Sequence, residues 1–285
     1  MSSVDFILNI VGLLLWFNWR GARFDPFNRG MPATLTGTLR RAEPLRFKQW
    51  FLPIILIALL AIRALFYAQL GPAVAWTPAL DLGAVSLSFR SDRQNLMFLF
   101  SGLSFLRTLA IFYFWLIFLV VINRNADALD PLLRLIRLHL GFVGSWPWLV
   151  QLLILPFIAA VGWAALSPLL AQTGIISPVR DYGRLAMQGL VIGGGLFFSL
   201  KYVIPLLLLL YLIASYVYFG KNALWDFVNL SARSCLAPAS RLPLQIGKVD
   251  LAPLLAIVVV FLLLHALPNY VQAILERHDR TIWPQ

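Results

Sequence analysis

Four ionisable side chains stand inside long apolar runs of this sequence: Arg63, Arg107, Lys201 and His265. A charge at membrane depth is a functional hypothesis by default, because the group must be paired, solvated or bound to a ligand of opposite sign. Arg63 lies 13 residues beyond Trp50, Arg107 17 before Arg124, Lys201 20 before Lys221 and His265 15 beyond Asp250. At about 1.5 Å of helical rise per residue, all four fall in the same, outer half of a bilayer. In the ordinary reading the long basic chains run out to the headgroups. The sharper reading is a shared cluster contacting an anion, such as a phospholipid headgroup or haem propionates. Bis-histidine haem is disfavoured, because His265 has no second histidine within a span and His139 falls on a connection.

A second concentration of chemistry-bearing residues is the stretch 236–267, where Arg241, Lys248 and Asp250 sit among Pro238, Pro243 and Pro253. Catalysis would need a nucleophile with a base, paired carboxylates or a metal. Asp250 is alone in its segment, Asp130 and Asp226 lie on other connections, and Ser231, Ser234 and Ser240 have no histidine nearby. The single cysteine, Cys235, excludes an internal disulfide, and the three histidines have no zinc-ligand spacing. We therefore expect no catalytic, cofactor-binding or metal residues, no bound cofactor, and no enzyme. The segment reads better as architecture. Pro253 fits the first turn of a helix, whose N–H groups have no intrahelical acceptor, and Asp250 fits its cap. Pro238 and Pro243 stop the helix from running backward. Arg241 then pairs with Asp250 or with anionic lipid, the latter worth about 1 kcal/mol near the surface.

The elements that must position these residues are membrane helices. Sixty percent of the chain is hydrophobic and 12% charged, against about 45–50% and about 25% in soluble domains. Apolar windows of the roughly 20 residues needed to cross a bilayer occur at 51–70, 96–122, 146–171, 196–219 and 251–275, with a weaker one at 4–19. The expectation is six spans, read as free of acidic residues. The first has no basic residue before its apolar run and no small-x-small site after it, so it reads as an uncleaved anchor. With six spans, fourteen Lys and Arg fall on one side and six on the other. That imbalance places the first set in the cytoplasm and both termini outside. Trp50, Trp146, Trp148 and Trp225 fall at the cytoplasmic boundaries, where amphipathic rings favour the headgroup layer. The net charge of +11 is thus mainly a topology signal, and no nucleic-acid partner is expected.

Two stretches repeat. In 130–150 and 237–255, Pro131 aligns with Pro238, Arg134 with Arg241, Gly141 with Gly247 and Pro147 with Pro253. Each follows a span ending in a basic-Asn-Ala step and precedes another span. The unit is span, cytoplasmic proline-rich segment, span, and two parallel copies imply an axis along the membrane normal. Residues 223–236 in the second copy read as an interfacial amphipathic helix. The alternation of Val85, Leu87 and Phe89 with small residues predicts a short strand or hairpin outside. Gly193-Gly194-Gly195 is read as a bend or close-packing site.

The spacing Pro238, Arg241, Pro243, Gly247, Asp250, Pro253 resembles the tandem motif of the YggT (YlmG) family of small membrane proteins. The first copy departs from it, with Gly144 or Ser145 at the aspartate position and Ile136 for the middle proline. The resemblance covers about 96–276. It divides the chain into an N-terminal membrane hairpin with its outer loop (1–95), a first YggT-like repeat (96–186) and a second with the tail (187–285). The expected fold is an all-α polytopic membrane protein: about six helices in tandem hairpins, cytoplasmic interfacial helices and a small periplasmic strand element. The resemblance implies a bacterial inner-membrane scaffold or assembly factor acting in membrane-complex biogenesis or envelope organisation. Its expected partners are the lipid bilayer, including anionic phospholipid, and other membrane proteins or a second copy. The alternatives are a small-solute or anion transporter, and a haem-handling or electron-transfer-associated subunit.

Overall fold

The computed structural model describes residues 2–23, 50–83, 85–125, 130–178, 181–217, 220, 222–237, 245–246, 249–250 and 252–277. Helices dominate. In chain order they are α1 (Ser2–Arg23), α2 (Phe51–Ala73), α3 (Gln94–Ile122), α4 (Pro131–Leu140), α5 (Trp148–Gln172), α6 (Tyr182–Phe198), α7 (Leu200–Tyr216), α8 (Ala223–Leu236) and α9 (Ala252–Arg277). Two short strands, β1 (Ala79–Asp81) and β2 (Ser86–Ser88), pair between α2 and α3, and β3 (Gln245–Ile246) pairs with β4 (Val249–Asp250) before α9.

Four helices among the described residues are long and apolar enough to cross a membrane: α2, α3, α5, and the nearly continuous pair α6–α7 over Tyr182–Tyr216. The pair is joined at Ser199, which keeps helical dihedrals (φ −67°, ψ −18°). The apolar helix over the fifth expected span therefore begins at Tyr182, well before 196. Helix α1 carries Asp5 and Arg20 and is not among the four, while the apolar part of α9, Ala252–Leu267, is shorter than the rest.

The chain forms two compact units, one of Met1–Leu80 with Ser88–Leu109, the other of Asp81–Leu87 with Ala110–Gln285. In the first, α1 packs on α2. A Cβ on Gly12 would come within 2.9 Å of the Phe105 ring, so glycine there lets α1 lie close to α3.

In the second unit α5 and α6 form an antiparallel pair. Gly189 lies on the carbonyl of Ala160 and Gly193 on that of Pro156, where a Cβ would sit 2.3 Å from the oxygen. Small residues four apart let backbones meet this closely, and dispersion then holds the helices. Gly193 is thus a packing glycine, whereas Gly194 has nothing within 4 Å. Trp163 Nε1 donates to Gln188 Oε1 across the pair at 3.1 Å. Phe114 of α3, fully buried, packs among Leu196, Leu200 and Val203.

The two aligned stretches differ locally. The first is helix α4, capped by Asp130, whose carboxylate accepts from Leu132 and Leu133 N–H at 2.9 and 3.2 Å. Pro131 occupies its first turn, where the missing N–H costs nothing. In the second stretch the aligned position holds strand β3, paired antiparallel with β4 (Gln245 to Asp250, Ile246 to Val249). Both stretches nevertheless place a proline at a helix start: Pro147 precedes α5 directly, and Pro253, buried, is the second residue of α9.

Candidate functional site

In the first unit, polar residues recur at helical spacing on three apolar helices. Asp5 and Asn9 are four apart on α1, Arg63 and Tyr67 four apart on α2, and Ser101, Ser104 and Thr108 at three and four on α3. Residues so spaced share a face. The three faces meet in one buried network.

Arg63 is 2% exposed. Its Nη1 lies 3.4 Å from Asp5 Oδ1 and donates to Asn9 Oδ1 at 2.6 Å. Its Nε donates to Ser101 Oγ at 2.9 Å, and Nη2 donates to the Ser101 carbonyl. Asp5 Oδ1 also accepts from the Tyr67 hydroxyl at 3.2 Å, and Oδ2 accepts from Asn9 Nδ2 at 3.1 Å and Ser104 Oγ at 2.8 Å. Asn9 Nδ2 reaches Ser104 Oγ as well, at 2.9 Å, and Ser101 Oγ donates to the Leu60 carbonyl at 2.8 Å. Tyr67 is fully buried and packs edge-on against Trp76 at 5.0 Å.

The chemistry of this arrangement follows from counting partners. A carboxylate offers about four lone-pair sites, and all of those on Asp5 are taken by protein groups. A buried ion pair avoids a prohibitive desolvation penalty only when such extra hydrogen bonds satisfy both partners, and here they do. The site is neutral, closed and made of three helices, so it fixes α1, α2 and α3 in one register.

Asp5 corrects the expectation that the spans hold no acidic residue: it lies in the first turn of α1, inside the weak window at 4–19. Single-residue inspection passes over it because the hydropathy of α1 is diluted, yet Asp5 with Asn9 and Arg63 with Tyr67 are a legible pair of i, i+4 signals.

Among the four intramembrane groups, Arg63 has Asp5, Asn9 and Ser101 as its partners, none of them one of the other three. Buried among them, its guanidinium turns into the protein and does not run to the surface. Arg107, partly buried on α3, belongs to the same unit. Lys201 and His265 belong to the second: the Lys201 ammonium sits 5.1 Å from the Tyr202 ring, and exposed His265 stacks on Phe261 at 5.7 Å.

Of the motif residues, Arg134 is exposed on α4, and Gly141, at φ +57°, ends that helix in a conformation glycine adopts without strain. Pro238, Arg241, Pro243 and Gly247 lie outside the described residues. Asp250 is in β4, two residues ahead of α9.

A second polar cluster ties α3 to α8 in the second unit. Asn123, fully buried, donates to Ser231 Oγ at 2.7 Å and to the Leu119 carbonyl at 2.9 Å, and accepts from Ser234 Oγ at 3.1 Å. Helix α8, capped by Asn222 at 3.2 Å to Leu224 N–H, is the helix expected over 223–236. Beside it Val120, Leu133 and Phe227 join α3, α4 and α8 in a small apolar core. No group of three or more His, Cys, Asp or Glu among the described residues could hold a metal.

Comparison of the chain with protein-family models, with curated proteins and with solved structures gives no match. The resemblance to YggT proteins accordingly rests on the motif residues alone. The fold is that of a mostly helical chain with helices suited to a multi-pass membrane protein.

Proposed function

We propose that this protein is a non-enzymatic scaffold or assembly factor of a bacterial inner membrane. In this reading it has six crossings, both termini outside and two YggT-like hairpin repeats, and acts on other membrane proteins or on a second copy of itself. The observation that carries the reading is the closure of the Asp5–Arg63 site: the one buried ion pair among the described residues has its carboxylate filled by protein donors. A carboxylate that carried a substrate ion would keep an open coordination position. Cross-linking in native membranes, followed by identification of what is captured, tests this. A reproducible membrane-protein partner or homo-oligomer supports it, and a chain that cross-links to nothing above background counts against it.

One observation favours a second reading, transport of a small solute or ion. An Asp and an Arg within membrane helices are also the parts of a relay that opens when one of them is protonated or meets a substrate. Flux into proteoliposomes separates the two, since a scaffold passes nothing faster than protein-free vesicles.

A further inference from the structure

Between the end of α3 and the start of α5 the second unit carries a surface that the scaffold reading leaves unused. Arg124, just past α3, sits with its guanidinium 5.7 Å from the Trp148 ring at the start of α5. On α4, Arg134 is exposed and Arg137, three residues on, partly so. Neither has an acidic partner among the described residues. The one described acid nearby, Asp130, is engaged as the cap of α4. The surface is therefore net basic.

It is also aromatic. After Gly141 the chain makes a 3-10 turn, Gly141–Ser145, whose Phe142 is 89% exposed, and Trp146 and Trp148 are more than 40% exposed. The turn is held in place. Gln151, buried in the first turn of α5, donates to the Gly144 carbonyl at 3.0 Å, Ser145 Oγ donates to the Phe142 carbonyl at 2.8 Å, and Gly144 lies against the Arg137 carbonyl. A rigid turn that presents a bare phenyl ring beside three arginines suits neither water nor hydrocarbon alone. It suits the headgroup boundary, where aromatic rings enter the acyl edge and guanidiniums chelate phosphate.

We propose that α4 and the turn after it form a ledge lying in the headgroup layer, on which Arg134 and Arg137, with Arg124 beside Trp148, bind the phosphate of an anionic phospholipid. The commitment to lipid follows from charge complementarity and from connectivity: α4 joins two helices able to cross the membrane, so it lies where both meet the bilayer surface. The ledge rests on the membrane reading of those helices and not on what the protein scaffolds.

The test uses the full chain. In an uncharged detergent, native mass spectrometry gives the apparent Kd for a short-chain phosphatidylglycerol, with phosphatidylcholine as the reference lipid. Arg134→Gln and Arg137→Gln are each expected to weaken phosphatidylglycerol binding about 5-fold, and together about 25-fold. Arg134→Lys with Arg137→Lys should keep most of the preference. Unchanged thermal unfolding of the Gln variants in phosphatidylcholine discs shows that they fold. A nitroxide on Phe142→Cys, in a Cys235→Ala background, should be relaxed by oxygen more than by an aqueous nickel chelate once in a bilayer. Binding that is indifferent to the double Gln variant overturns the proposal. So does a label at 142 fully open to the aqueous reagent, which would leave the surface to a soluble protein partner. Failure of the chain to float with lipid vesicles would instead fault the membrane reading itself.

Discussion

Replacing Arg63 with leucine removes the centre of the three-helix network, and its cost can be bounded from the structure. The change deletes one ion pair to Asp5 and hydrogen bonds to Asn9 Oδ1, Ser101 Oγ and the Ser101 carbonyl. Hydrogen bonds between membrane helices average only about 0.6 kcal/mol, so those three alone sum to about 2 kcal/mol. Breaking a buried ion pair from one side costs about 3–5 kcal/mol, because the remaining charge is left uncompensated. The expected loss is then about 2–5 kcal/mol, a factor of about 30 to about 5,000 in the folded-to-unfolded ratio. Equilibrium unfolding in mixed micelles titrated with dodecyl sulfate measures it. Asp5→Asn and the double variant Asp5→Asn with Arg63→Leu complete a cycle, in which the pair should show a coupling of at least about 1 kcal/mol. Arg63→Lys should recover only part of the loss, since an ammonium lacks the planar fork that reaches Asp5, Asn9 and Ser101 together. A leucine variant within about 0.5 kcal/mol of the parent, with additive single effects, would refute the claim that this pair holds the unit.

Three further expectations concern the second unit. Gly193→Val should destabilise by about 1–3 kcal/mol or more, because its Cβ meets the Pro156 carbonyl. By contrast Gly194→Ala, in open space, should be neutral or gain about 0.5–1 kcal/mol. The same unfolding assay reads both. Asn123→Ala leaves Ser231 and Ser234 without their partner and should cost about 1–3 kcal/mol, whereas Asn123→Asp should be no better tolerated, since the buried site holds no described cation to meet it. Burial pushes the Cys235 thiol up to about 11 from its ordinary 9.0. Its thiolate at pH 8 is therefore about a hundredfold scarcer than that of a free cysteine, and iodoacetamide should modify it correspondingly slowly until the protein is unfolded.

The helical, multi-pass character of the chain was plain in its composition, because continuous apolar runs of span length have few other uses. The extents of the helices were harder to read. The run over 196–219 shows where apolarity peaks, but the helix there begins at Tyr182, since Gly189 and Gly193 let α6 lie against α5 backbone to backbone. A glycine reads as a breaker in sequence and acts as a contact in space. The α8 helix and the β1–β2 pair were legible through amphipathic and alternating patterns, which report local period directly. The Asp5–Arg63 pair was not, for it joins residues on separate helices whose proximity no local period encodes. Half of it was visible in Arg63, and the acid was lost in a helix whose mean hydropathy is lowered by the very residues that matter. The likeness between 130–150 and 237–255 holds at their prolines and not at the positions between, where helix α4 faces strand β3 in the alignment; spacing alone could not reveal that difference.

The central claim is that the buried charges of this protein hold its helices together and carry nothing across the membrane. Purified full-length protein in proteoliposomes, loaded with pH-, chloride- and potassium-sensitive dyes, tests it most directly. The account predicts fluxes equal to those of protein-free vesicles for the parent and for Asp5→Asn alike. A flux that the parent supports and Asp5→Asn abolishes, with the variant still folded, would contradict it and make Asp5 and Arg63 a transport site.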